Sequence, residues 1–172
     1  MMGRALLVVG ALATLGLLGT GVLGYGIPES FEVSDQANHI LLAVLTSILL
    51  LFSHCWILFY LIGTGKVLKE AVAEHGLEQE IVEQTKTFKN RSNPWLMLAM
   101  MLAMATFVSG GGVATGSSWV PAWVHHTLFA LTLATQVYAL WVEHEVLTAN
   151  EKLMRSVDRR LKAAAAAAPE DE

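Results

Sequence analysis

His39 to Tyr60, H-I-L-L-A-V-L-T-S-I-L-L-L-F-S-H-C-W-I-L-F-Y, is the stretch that decides the fold. From Ile40 to Tyr60 it holds no Asp, Glu, Lys or Arg. It is also long enough for one helix to cross a bilayer core, which takes about 20 apolar residues. Three further stretches pass the same test: Ala5–Tyr25, Trp95–Thr115 and Trp123–Val142. At 172 residues and 54% hydrophobic, with a mean hydropathy of +0.51, the chain is too apolar for an ordinary soluble domain. The expected fold is all-α, a four-helix transmembrane bundle with helical cytoplasmic extensions. Residues 1–162 make one membrane domain and 163–172 a low-complexity tail.

Charge placement predicts the orientation. Arg4 precedes span 1, five basic residues lie in the segment 65–93 and five follow span 4, whereas the connections Gly26–Asn38 and Gly116–Ala122 carry none. All 11 Lys and Arg thus fall on one side, which the positive-inside rule makes cytoplasmic. The first outer connection is acidic (Glu29, Glu32, Asp35), and Trp95, Trp141, Trp119 and Trp123 suit an aromatic belt. The expected location is a membrane of the bacterial inner-membrane type, with both termini cytoplasmic. Span 1 exceeds the roughly 7–15 residues of a signal-peptide core and is expected to be retained.

Segment 65–93 reads as a charged, mostly helix-forming cytoplasmic loop interrupted at Gly76, with Ser92-Asn93-Pro94 as the start of span 3. Leu147, Met154 and Leu161 recur every seventh residue beyond span 4, predicting a helical extension packed on that loop. No internal repeat stands out. Cys55, the single cysteine, reads as a small packing residue.

Ionisable residues inside spans are functional candidates. Here they are histidines: His54 within span 2, His39 at its outer end, and His125 and His126 near the outer end of span 4. His75 and His144 read as surface and interfacial residues. His39, Thr46, Ser53 and Tyr60 form a stripe on span 2, with His54 beside it; His125, Thr132, Gln136 and Glu143 share a face of span 4, and His126 is turned away by about 100°. Polar stripes in lipid face protein. Helical rise places His39 about 16 Å and His125 about 12 Å outside the bilayer centre. At similar depth the other two spans carry Gly21 and Gly24, and Gly111 and Gly112, and glycine lets a flat group approach the backbone.

Two histidines on diagonal helices, with glycines on the remaining two, resemble the membrane b-type cytochromes, whose haems lie inside a four-helix bundle between histidines of two helices. The resemblance implies haem b ligated by His39 and His125, with His126, His54, Gly21, Gly24, Gly111 and Gly112 around it. It also implies a redox subunit passing electrons to or from a quinone. A second haem does not follow, because His54 and His144 are mismatched in depth.

Other readings stand beside it. A cofactor-free bundle would anchor or assemble other subunits of a membrane complex, with His54 hydrogen-bonded to Gln136. A zinc or copper site would use His39, His125 and His126 with Asp35. No catalytic residues are identified: H-E-x-x-H, P-loop and C-x-x-C motifs are missing, and no span carries the acidic residue expected of a proton- or sodium-coupled transporter. A net charge of −4 without a basic patch argues against nucleic acid.

Overall fold

The computed structural model describes residues 2–26, 33–117 and 120–167. Four helices follow one another: α1 (Met2–Tyr25), α2 (Val33–His75), α3 (Glu80–Ala114) and α4 (Ala122–Ala167). Each packs on the next and α4 closes back on α1, which makes an all-α four-helix bundle. α2 and α4 also touch across one diagonal, whereas α1 and α3 make no such contact among the described residues. The end holding His39 and His125 is the histidine end, and the opposite one the basic end.

Helices α1, α2 and α3 are long and apolar enough to cross a membrane. Composition alone does not place α4 with them, because His125, His126, Thr132 and Gln136 stand where aliphatic residues would be. The distribution of side chains is the reverse of a water-soluble bundle. Val8, Leu15, Val22, Leu45, Phe59 and Met101 face outward, while Thr14, Thr46, Ser53, His54, Thr132, Gln136 and Glu143 are buried. Soluble monomers rarely expose so much contiguous apolar surface, whereas a bundle in hydrocarbon must turn polar groups inward. The chain is a small helical membrane protein.

Segment 65–93 is not a loop but two helix ends and a turn. α2 runs unbroken to His75, Gly76 takes a φ of 63°, and α3 begins at Glu80. That left-handed conformation is cheap for glycine alone, and the Leu77 N–H caps the helix by donating to the Val72 carbonyl at 3.2 Å. Ser92-Asn93-Pro94 does not start a helix as expected; Pro94 lies inside α3. Proline removes one helical N–H, but Ser92 and Leu96, both fully buried, anchor the helix on either side of it.

Beyond the apolar spans, Leu68, Val72, Ile81, Leu153 and Val157 form a core, edged by Met154 and Leu161. The expected packed extension of α4 therefore exists, with a different seam. Leu147 belongs to the neighbouring core of Leu6, Ile57, Leu61, Leu96, Val142 and Val146. α4 continues through the alanine run to Ala167, so the expected tail begins inside a helix. Ion pairs Arg91–Glu145 and Arg160–Glu78 join the extensions on their surface. Glu29, Glu32, Trp119 and Pro169–Glu172 lie outside the described residues.

Candidate functional site

At the histidine end the helices enclose a cavity of about 320 Å³ lined from all four. His39 and His125 both line it, one from each of the two diagonal helices. His39 Nδ1–H donates to the Thr20 carbonyl at 3.0 Å, and His125 Nδ1–H donates to the Thr106 carbonyl at 3.1 Å, with Ser109 Oγ at 3.2 Å. A carbonyl can only accept, so the hydrogen of each neutral ring sits on Nδ1 and the Nε2 lone pair stays available. Neither Nε2 has a hydrogen-bond partner among the described residues.

These two arrangements are copies of one another. In both, the carbonyl lies 19 residues before the histidine. In both, a glycine one turn after that threonine makes room for the ring. A Cβ on Gly24 would stand 2.8 Å from His39 Cε1, and one on Gly110 2.8 Å from His125 Cε1. Thr46 and Thr132 follow their histidines by the same seven positions and line the same cavity. Thr20 and Thr106, Gly24 and Gly110, His39 and His125, and Thr46 and Thr132 are each 86 residues apart. The hairpin α1–α2 is thus repeated as α3–α4, contrary to the expectation of no repeat. Only sparse positions carry it, because most of each helix faces lipid, where any apolar residue serves.

The glycines act mainly on protein side chains. Gly21 admits the ring of Phe129, Gly24 that of His39, and Gly112 the side chain of Val120. Gly111 alone of the four expected glycines faces open space, at the cavity wall. Gly110, which matches Gly24 in the repeat, was not among the glycines expected at the site, yet it seats the ring of His125. His126 also lines the cavity despite its rotation, with its ring 5.1 Å from that of Tyr25.

His54 is not in the cavity lining. It lies deeper, with 0% exposure, and both ring nitrogens are engaged: Nε2 with Gln136 Oε1 at 2.9 Å and Nδ1 with Glu143 Oε1 at 2.6 Å. Gln136 Nε2–H in turn donates to Thr14 Oγ1 at 3.2 Å. The expected His54–Gln136 contact is present, but Glu143 is the partner that sequence reasoning missed. Ending span 4 at Val142 put Glu143 outside the membrane, whereas it is fully buried. Its position seven residues after Gln136, on one helical face, was the available signal. Among the described residues no group of three His, Cys, Asp or Glu is placed to hold a metal ion, so His39, His125, His126 and Asp35 do not assemble as the zinc or copper alternative requires.

No protein-family model, curated protein or solved structure matches this chain. Fold and site therefore define a class only: a small helical membrane protein with a two-histidine cavity at one end.

Proposed function

We propose that the protein is a membrane b-type cytochrome that holds one haem b between His39 and His125 and passes electrons, with the quinone pool of the bilayer as donor or acceptor. The observation that carries this reading is the matched presentation of the two imidazoles. Each comes from one half of a repeated hairpin, and each has its Nδ1 hydrogen committed to a backbone carbonyl. Such second-sphere bonding orients an imidazole and raises its basicity at the other nitrogen. The walls fit an apolar macrocycle: Leu17, Ile40, Ala43, Ala103 and Phe107 line the cavity, and Gly111 leaves its wall open. Haem ligated by two histidines supplies reversible one-electron transfer. The chain's own residues would fix its depth, exclude water and keep the ligating nitrogens neutral.

In this reading the basic end faces the cytoplasm of a bacterial cell, because all 11 Lys and Arg lie beyond that end of the spans. The test is the optical spectrum of protein purified after growth with haem available. A Soret band and a sharp reduced α-band are expected, with the six-coordinate low-spin signature lost in His39→Ala and in His125→Ala and kept in His75→Ala. A second reading is a cofactor-free subunit that anchors or assembles a larger membrane complex through this end, where α2, α3 and α4 extend beyond the apolar spans as one packed unit. A colourless protein that copurifies with partner subunits would select it.

A further inference from the structure

The chain Thr14–Gln136–His54–Glu143 carries information about protons that its distances make explicit. Thr14 Oγ1–H donates to the Gly10 carbonyl at 2.9 Å, so its oxygen is left to accept the Gln136 Nε2–H. That sets the amide with Oε1 toward His54, and an amide oxygen cannot donate. His54 Nε2 must therefore carry a hydrogen. Across the ring, the 2.6 Å contact to Glu143 Oε1 needs a hydrogen of its own. It belongs either to an imidazolium facing a carboxylate or to a carboxyl group facing an imidazole. Both descriptions place the same number of protons on the pair and give it no net charge.

Removing that proton has a structural consequence. The remaining ring hydrogen would move to Nδ1, opposite the carboxylate, and the Nε2 lone pair would then oppose Gln136 Oε1. To restore a bond, the amide must turn over and the Thr14 hydroxyl must turn from Gly10 to Gln136. Proton occupancy on α2 and α4 is thereby tied to a hydroxyl on α1. The second carboxyl oxygen is poised in the same way: Glu143 Oε2 is buried with no hydrogen-bond partner and lies beside Gly10, where a Cβ would stand 3.6 Å from it. A carboxylate left there without a charged partner is costly in a dry interior.

We infer that His54 and Glu143 form a proton-binding site within the membrane, opening toward the cavity at the histidine end. Thr132, which lines that cavity, lies one helical turn from Gln136. Toward the basic end the way is filled by the larger core of Leu6, Ile57, Leu61, Val146 and Leu147, and toward the cavity by the smaller cluster of Ala13, Leu50 and Ala103, two of which line that cavity. Among the described residues, α1 and α3 present no titratable group to the pair. On α2 and α4 the adjoining Cys55 and His144 are exposed, as is Tyr138, Glu145 is paired with Arg91 at the surface, and Tyr60 and Glu151 lie toward the basic end. The site does not rest on the haem reading, since none of its atoms belongs to His39 or His125.

The experiment is an infrared difference spectrum between acid and alkaline conditions, recorded on the full chain in oriented membrane vesicles prepared both ways. A band change from a buried carboxyl or carboxylate group is expected, together with one from a glutamine side-chain amide. Both should be absent in Glu143→Gln and respond first when the pH is changed on the face nearest His39. Thr14→Val, which keeps the shape of the side chain and removes the amide's other partner, should retain the carboxyl change and shift the amide one, and it serves if Glu143→Gln does not fold. A spectrum without carboxyl changes, changes that persist in Glu143→Gln, an amide band unaffected by Thr14→Val, or a response only from the basic face would overturn the inference. Each outcome is read in protein with or without haem, so it is separable from the cofactor test.

Discussion

His54 Nδ1 lies 2.6 Å from Glu143 Oε1, and neither side chain reaches solvent. The two residues are 89 positions apart, on helices that touch only across a diagonal of the bundle. A contact of this kind stabilises less than its short distance suggests, because both groups have been taken out of water. Its main energetic effect appears when one member is removed.

Glu143→Leu or His54→Leu alone should each destabilise the bundle by about 3–5 kcal/mol, leaving a buried polar partner behind. The double variant His54→Leu/Glu143→Leu should recover much of that loss. Reversible unfolding in mild detergent micelles measures all three. Additive losses in the double variant would show that the two side chains act independently.

Gly24→Ala and Gly110→Ala should each displace a histidine ring, since the new Cβ would stand 2.8 Å from a ring carbon. The nuclear magnetic resonance signals of His39 and His125 should shift in the respective variants. Gly63→Ala is the control: nothing lies within 4 Å of the added methyl. It should leave both signals in place and stabilise α2 by about 0.5–1 kcal/mol through reduced chain entropy.

Leu153→Ala should cost about 2–5 kcal/mol, because its side chain fills the core between the extended ends of α2, α3 and α4. Amide exchange should quicken in residues 150–161 and around Leu68–Val72, with little change at the histidine end. Uniformly fast exchange there in the unaltered protein would contradict the packed extension.

For the proposed orientation, a cysteine at Asp35 should react with an impermeant thiol reagent added outside sealed cells. One at Lys86 should react only after the membrane is opened. Labelling of the Lys86→Cys protein in intact cells would reverse the proposed orientation.

Much of the bundle was legible from local rules. Runs of apolar residues long enough for hydrocarbon, and stripes of Thr, Ser, His and Gln at helical spacing, marked the helices and the faces they turn inward. His39 and His125 were found because ionisable groups stand out against such a background. Helix ends were harder. Ser92-Asn93-Pro94 has the composition of a helix start, but Ser92 and Leu96 are buried against neighbouring helices, and that packing carries α3 through the proline.

By itself, then, the sequence determined which segments are helical and apolar, and where the basic residues gather. Both follow from composition and from periodicities within a few turns. Tertiary structure alone decided that Glu143 faces His54 and that Gly24 and Gly110 seat the two histidine rings; the 86-residue repeat is present in the sequence at a few positions, and those contacts are what give it meaning. Those relations join residues 15 to 89 positions apart on different helices. They depend on rotation and register between helices, which close packing sets and which a single helix's pattern of residues does not contain.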